Sequence, residues 1–364
     1  MLSASPLAIQ GCYFRDLMAQ PEALQRTLEW LQVPARWSEV QVLTNSRAWK
    51  RVVLTGMGSS FHALHPLNLG LIGAGFTPVM METSELIHHG MPLCDADTLV
   101  VAVSQSGGSA EILRFLDLNQ QATVLAVTNT AEGRLAKEAD CALLTQAGVE
   151  FSVSCKTYVS ALLALQWLSA LLTGMPEAEL SRRLAPLAEQ VAAYLRHWPS
   201  HTEALAVWMS GVRHLFLVGR GASLAAAGTG ALIIKESARM HAEGMSSAAF
   251  RHGPMEMTRA DMCVGVFTGA ATPGATTVGV PTPRALNLRL AQELRERGTR
   301  CGVIGVSAAH ASIHLTPLNL PEIDALTAPV VEILPAQMMS LALAGLAGCE
   351  AGVFESARKI TDTE

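Results

Sequence analysis

Residues Ser104-Gln105-Ser106-Gly107-Gly108-Ser109 have the composition of an anion cradle. They follow a short uncharged run, Leu99 to Val103, and precede a helical pattern that starts at Glu111 and runs through Ile112, Leu113, Phe115 and Leu116. The first-turn amides of a helix have no intrahelical acceptors, so a glycine-softened turn lined with hydroxyls suits a phosphate-sized group. The turn lacks the lysine of G-x-x-x-x-G-K-[ST] and is not G-x-G-x-x-G, which leaves an ordinary capped turn as the competing reading.

A second polar constellation spans Lys235 to Met257 and holds Lys235, Glu236, His241, Glu243, Arg251, His252 and Glu256. His252-Gly253-Pro254 reads as a helix-ending loop, where an imidazole titrates near neutrality and can move protons. Its competing reading is a solvated loop. Glu236 closes a helix, and we expect it at the C-terminal edge of a sheet. A desolvated carboxylate there suits proton transfer at a carbon next to a carbonyl, against the alternative of a solvated Lys235–Glu236 pair. No metal is expected, because His241-Ala-Glu243 and Arg251-His252 lack the i, i+4 face of a zinc helix. Gly56-Met57-Gly58-Ser59-Ser60 lacks the G-x-S-x-G of a serine hydrolase.

These residues need a scaffold, and the chain has the means to build one. It has 364 residues, half of them hydrophobic and 16% charged, enough for roughly two domains with their own cores. A net charge of -5 without a basic block argues against nucleic acid. Seven scattered cysteines without a C-x-x-C pair, and a start without the basic and apolar regions of a signal peptide, predict a reduced, cytoplasmic protein. Thr157 to Pro176 contains no charge and approaches the length of a membrane span. Its serines, threonines and Gln166 favour a buried helix, and no membrane partner is expected.

Strand patterns at Arg51 to Thr55, Thr77 to Glu82, Leu99 to Val103, Thr123 to Thr128 and Cys141 to Thr145 alternate with helical ones, which predicts an α/β fold with a parallel sheet. A helical arm at Phe14 to Leu31 precedes them, and a linker helix at Glu177 to Leu195 follows the uncharged helix. The pattern then restarts. His214 to Val218 leads into Gly219-Arg220-Gly221-Ala222-Ser223, echoing Gly56 to Ser60. Met262 to Thr268, Cys301 to Ser307 and Ser312 to Thr316 supply further strands, and Val330 to Gly348 matches the uncharged helix. The second half has Thr268-Gly269-Ala270-Ala271-Thr272-Pro273 in place of the serine turn. A proline there removes an amide donor, so one anion site is expected, in the first half.

Several motifs in order carry a resemblance: Gly56-Met57-Gly58-Ser59-Ser60, Ser104-Gln105-Ser106-Gly107, Glu150 to Thr157, Lys235-Glu236, His241-Ala242-Glu243, His252-Gly253-Pro254 and Lys359. The sequence resembles the sugar isomerase (SIS) family, in particular the isomerase region of glucosamine-6-phosphate synthase and its stand-alone relatives. The resemblance implies two tandem SIS domains, each a five-stranded parallel sheet flanked by helices in three layers. Their expected limits are a helical arm at 1–35, a sugar-phosphate-binding domain at 36–176, a linker at 177–198, a second domain at 199–350 and a tail closing the active site at 351–364.

The resemblance further implies that Ser104, Gln105, Ser106 and Ser109 bind a sugar 6-phosphate, with Gly58, Ser59, Ser60, Val153 and Cys155 lining the same pocket. It assigns proton transfer between C1 and C2 to Glu236 and ring opening to His252, reaching in from the partner of a homodimer. Lys359 would meet the open-chain carbonyl as a cation or Schiff-base amine. No cofactor is implied. This sequence departs from the family pattern at Ile233, where the synthase has a further lysine, at Val153-Ser154-Cys155-Lys156-Thr157, where a sugar-contacting serine is replaced by Cys155, and at Arg251, where a lysine is usual. No stretch resembles the glutamine-hydrolysing domain. The expected function is therefore aldose-ketose isomerisation of an amino-sugar or fructosamine 6-phosphate with deamination or deglycation, not glutamine-dependent synthesis. The alternative is a sugar-phosphate-binding regulator without catalysis.

Overall fold

Short uncharged runs rich in valine and leucine form the centres of two parallel sheets, where both faces are covered and alternation of polar and apolar residues is lost. The computed structural model describes residues 10–45, 49–269, 279–306, 316–320, 324–356, 358, 359, 361 and 363. In the first sheet, β1 (Arg51–Gly56), β2 (Pro78–Glu82), β3 (Thr98–Val103), β4 (Thr123–Thr128) and β5 (Cys141–Leu144) take the order β2-β1-β3-β4-β5. All of β3 is buried, and Gly56 at the end of β1 lies in register with Val103 at the end of β3. Ile112, Phe115, Leu86 and Leu135 pack on this sheet.

The second sheet contains β6 (His214–Gly219), β7 (His241–Ser246), β8 (Met262–Phe267), β9 (Arg300–Val306) and β10 (Asn319–Leu320) in the order β10-β9-β8-β6-β7. Read from its other edge this is the order of the first sheet, so the repeat seen in the sequence is a repeat of topology. Its core includes Phe216 and Phe250, whose rings meet edge to face at 5.2 Å.

Each half also has an apolar helix inside it. Lys156–Leu172 is buried from Lys156 to Leu171 and packs on Gln20–Leu31 and Leu64–Gly73. Leu334–Ala347, buried from Leu334 to Ala344, packs on Trp198–Met209 and Leu224–Ala238. Among the described residues one stretch, Ala328–Ala347, is long and apolar enough to cross a membrane, and 83% of its most apolar window is buried within the protein.

The chain divides into two compact units. The first-sheet unit comprises Ala19–Glu150, Ser154–Ala188 and Ser356–Glu364, and the second-sheet unit Met1–Met18, Phe151–Val153 and Glu189–Glu355.

Four sequence expectations change in detail. The arm is broken at Ala19 into Cys12–Met18 and Gln20–Leu31, with Pro21 in the first turn of the second helix, where its missing N–H costs nothing. The linker is two helices, Glu177–Leu184 and Leu187–Leu195, because Pro186 cannot continue the first. The strand expected at Ser312 to Thr316 falls mostly outside the described residues, and the edge strand of the sheet is Asn319–Leu320. Finally, His241–Ser246, read from sequence only as a polar cluster, is the edge strand β7. It has no β-branched residue, and parallel pairing with β6 along its whole length holds it extended.

Candidate functional site

In the order β2-β1-β3 the sheet reverses its winding between β1 and β3, and ligands of open parallel sheets bind beyond the strand ends at such a point. Two turns lie there. After β1, Gly58 takes φ 52° and opens the short helix Gly58–His62, bringing Ser59 and Ser60 to the edge. After β3, Ser104 Oγ accepts from Gly107 N at 3.2 Å and Ser106 Oγ accepts from Gly108 N at 3.2 Å, which shapes the serine turn from within. Gly107 has φ 61°, and a Cβ there would lie 3.2 Å from both Leu135 Cβ and Thr128 Oγ1. Both the handedness and the space require glycine. Ser109 is the N-cap of the Ala110–Leu118 helix but makes no side-chain capping bond.

A small cleft opens between these turns, with Ser59, Ser60, Gln105, Asn129, Ser154 and Thr157 on its walls and Val103, Val127 and Ala161 beneath. Asn129 is locked in place: its Oδ1 accepts from Thr145 Oγ1 at 3.0 Å and Ala147 N at 2.8 Å, and its Nδ2 donates to Gly148 O at 2.8 Å. A second hollow lies at the opposite edge of the sheet among Trp49, Phe76, Leu99 and Leu171, and none of the expected site residues lines it.

Glu150 organises the far wall. Its side chain is fully buried, and Oε1 accepts from Cys155 N at 2.9 Å and Thr157 N at 3.1 Å, the amides at the start of the apolar Lys156–Leu172 helix. A carboxylate in that position satisfies orphan donors and meets the positive end of the helix dipole. Oε2 accepts from Thr157 Oγ1 at 2.6 Å and from Lys359 Nζ at 2.6 Å. The Cys155 thiol, also buried, points at Oε1 from 3.5 Å. The tail has a second anchor, since Thr361 O accepts from Ala110 N at 3.1 Å, in the first turn of the helix that follows the serine turn.

The other expected residues belong to the second-sheet unit. Val153 is buried there, beside Ser152, whose Oγ donates to Gly352 O. Glu236 lies half-buried in the last turn of the Leu224–Ala238 helix. That helix leaves the C-terminal end of β6 and returns the chain to the start of β7, so Glu236 sits toward the N-terminal edge of the sheet and not, as expected from sequence, the C-terminal edge. A connection between parallel neighbours must make this return. The helix end is strapped by Gly352 N donating to Ser237 O and by Arg239, which reaches Val353 O at 3.1 Å and Glu355 at 2.8 Å. Ile233, one turn before Glu236, is fully buried.

His252 is exposed directly after the Ser247–Arg251 helix, ahead of Gly253 at φ 145°. Arg251 ties this loop to the Pro283–Glu296 helix through Glu293 at 2.6 Å, and hydrogen bonding by Arg251 holds the Glu293 carboxyl below its usual range.

At the glycine turn of the second repeat, Ser223 Oγ donates to Glu332 Oε1 at 3.0 Å. Glu332 is buried, and desolvation pushes its carboxyl up to about 7 against the opposing Ser223 bond. The counterpart of the serine turn from Ala270 to Pro273 lies outside the described residues.

The structure thus brings Ser59, Ser60 and Gln105 to one cleft beside the turn of Ser104, Ser106 and Ser109, and gathers Cys155 and Lys359 on Glu150. Val153, Glu236 and His252 are in the other unit. Sequence reasoning gave Glu150 no role of its own. The available signal was its isolation, a lone carboxylate shortly before a 17-residue helix whose first amides need acceptors. Among the described residues no group of three or more His, Cys, Asp or Glu is arranged to hold a metal ion.

Two sheets of one topology, the first with a polar cleft at its winding reversal, define a duplicated α/β ligand-binding fold. The chain belongs to the SIS-domain family, whose model matches residues 47–171 and 209–273. It is 29% identical over 351 residues to the isomerizing glutamine–fructose-6-phosphate aminotransferase of Thermococcus kodakarensis, covering 92% of this chain and 55% of that one. The Pseudomonas syringae enzyme of the same name is 29% identical over 364 residues, covering 92% and 56%. The chain spans about half the length of the curated relatives it matches.

Among solved structures, tagatose-6-phosphate ketose/aldose isomerase from Escherichia coli superposes with a TM-score of 0.80 at 19% identity, covering 97% of this chain and 98% of that one. The C-terminal domain of glucosamine-fructose-6-phosphate aminotransferase from Francisella tularensis gives 0.77 at 21%, covering 96% and 99%. Glucosamine-6-phosphate deaminase from Thermotoga maritima gives 0.70 at 17%, covering 93% and 96%. At these identities the likeness is one of fold.

Proposed function

We propose that this protein is a phosphosugar isomerase-type enzyme acting on a hexose 6-phosphate that bears nitrogen, an amino-sugar or fructosamine 6-phosphate, with loss of the amine accompanying aldose-ketose isomerisation. The observation that carries the reading is the placement of a primary amine, Lys359 Nζ, on a buried carboxylate in the unit that also holds the serine turn and its cleft. The names of the relatives, which include a ketose/aldose isomerase and a deaminase of phosphorylated sugars, support it.

In this reading Ser104, Gln105, Ser106 and Ser109 take the phosphate, whose charge is met by the turn amides and the helix dipole. Gly58, Ser59, Ser60 and Cys155 line the sugar pocket, and the tail closes it. His252 of the partner subunit assists ring opening in a homodimer. Lys359 meets the carbonyl of the open chain, and Glu236 moves the proton between C1 and C2 through an enediol or enamine. Buried Ile233 in place of a second lysine favours loss of an amine over its incorporation. All seven cysteines are free, and burial pushes the Cys94 and Cys141 thiols up to about 11 and Cys301 up to about 12, which supports a reducing cytoplasmic setting.

The reading is tested by incubating the protein with glucosamine 6-phosphate and with fructosamine 6-phosphates and measuring released ammonia or amino acid. Turnover abolished by Glu236→Gln is expected, whereas equal turnover by that variant removes the proton-transfer role. The second reading, a sugar-phosphate-binding regulator, is favoured by Cys155, whose thiol is turned to Glu150. Ligand-induced stabilisation without turnover of any substrate would establish it.

A further inference from the structure

His214 and His241 are the first residues of β6 and β7 and lie directly opposite each other in the parallel register. Their Nδ1 atoms are 3.4 Å apart, and the rings stand at 75° to one another. His241 Nε2 is 3.3 Å from Glu243 Oε1, with both side chains nearly half exposed. This cluster lies at the N-terminal edge of the second sheet and has no part in the chemistry proposed above.

Glu243 lies beside the remote nitrogen of His241, and in the tautomer that carries its proton on Nε2 the Nδ1 lone pair of His241 faces the Nδ1 of His214. At this distance one ring nitrogen can donate to the other, or both can turn their lone pairs to a shared cation. Zinc–imidazole bonds are about 2.0–2.1 Å, and two of them meeting at a tetrahedral angle set their nitrogens roughly 3.4 Å apart. A carboxylate on the remote nitrogen of one ring is the usual partner of a metal-bound histidine, fixing its orientation and raising its basicity.

We propose that His214 and His241 form a two-histidine site for a borderline divalent ion of the zinc–copper kind, with Glu243 orienting His241 from behind. The remaining coordination positions are filled by water, consistent with the exposure of the cluster and with the absence of a third protein ligand among the described residues. Imidazole donors suit such ions, and copper binds a given nitrogen site more tightly than zinc. A bound ion ties the edge strand β7 to β6 at its first residue pair, next to the turn at Arg239, which has φ 52°.

The test is titration of the full-length, metal-free protein with Cu²⁺, followed by paramagnetic resonance, and with Zn²⁺, followed by the melting temperature. The expected result is one copper with nitrogen hyperfine structure that is lost in both His214→Ala and His241→Ala, and a zinc-dependent rise in Tm lost in the same variants. Glu243→Gln should weaken binding about 10–100-fold without abolishing it. The metal-free melting temperature of each variant shows that it is folded. Copper bound with unchanged affinity in both histidine variants would place the ion elsewhere, for instance at His88 and His89, and overturn the proposal. No nitrogen-ligated copper in the wild type would leave a plain imidazole–imidazole hydrogen bond and overturn it equally.

Discussion

Lys359 Nζ lies 2.6 Å from Glu150 Oε2, joining residues 209 positions apart in the chain. The two partners are not equally dependent on the pair. Without Lys359 the carboxylate keeps its bonds from Cys155 N, Thr157 N and Thr157 Oγ1, whereas without Glu150 the helix amides and the ammonium all lose their acceptor. Lys359→Ala should therefore cost about 1.5–3 kcal/mol of stability, and Glu150→Ala more, about 1–3 kcal/mol for each buried amide left without an acceptor, as read by urea unfolding. Equal losses would mean that Glu150 does not cap the helix.

Lys359→Arg separates anchoring from chemistry. A guanidinium holds the ion pair with Glu150 but has no primary amine to attack a carbonyl. The variant should keep the wild-type melting temperature and lose turnover, and retained turnover would rule out the Schiff-base amine and leave Lys359 a cation.

The serine turn should be specific for the phosphate. Ser106→Ala removes a hydroxyl from the turn and should weaken hexose 6-phosphate binding by a charge-assisted hydrogen bond, about 1.5–3 kcal/mol, measured by calorimetry. Gly107→Ala should do at least as much harm, through backbone strain at φ 61° and the contacts with Leu135 and Thr128. Unchanged affinity in both variants would move the phosphate to another place.

Glu332 makes stability depend on pH. Its folded-state carboxyl is raised from 4.5 to about 7, so its contribution is fully present below the unfolded value and is lost as pH rises through 7. Glu332→Gln keeps an acceptor for Ser223 and removes the charge. Relative to wild type it should be of similar stability at pH 4.5 and more stable at pH 8.5, with an upper limit of roughly 3 kcal/mol from 1.36 kcal/mol per pKa unit. Denaturant unfolding at the two pH values reads this directly, and a difference independent of pH would show that the carboxyl is not neutral in the native protein.

The parts of this molecule legible in the sequence are those set by local composition. The runs from Val52, Thr98 and Thr123 are uncharged and rich in β-branched residues, and they fold as the buried strands they resemble. The helices at Lys156 and Leu334 are buried because their side chains are predominantly apolar on every face. The turn at Ser104 is recognisable because glycine and serine are needed where a strand meets a helix at an open edge.

What was not legible depends on partners distant in sequence. His241–Ser246 is a strand only because β6 pairs with it. The position of Glu236 follows from the direction in which its helix returns, a property of topology and not of the residue. Glu150 looks like an ordinary loop carboxylate until the helix amides and the tail lysine are folded onto it.

The central claim is that this protein moves a proton between adjacent carbons of a nitrogen-bearing hexose 6-phosphate. The most direct measurement is proton NMR of that substrate in D₂O with the wild-type protein and with Glu236→Gln. Deuterium entering at C1 or C2, with ammonia or an amine released, is expected from the wild type and should be lost in the variant while phosphate-dependent binding persists. Binding of the same sugars by the wild type, with no deuterium at either carbon and no amine released, would contradict the claim and leave a sugar-phosphate-binding protein.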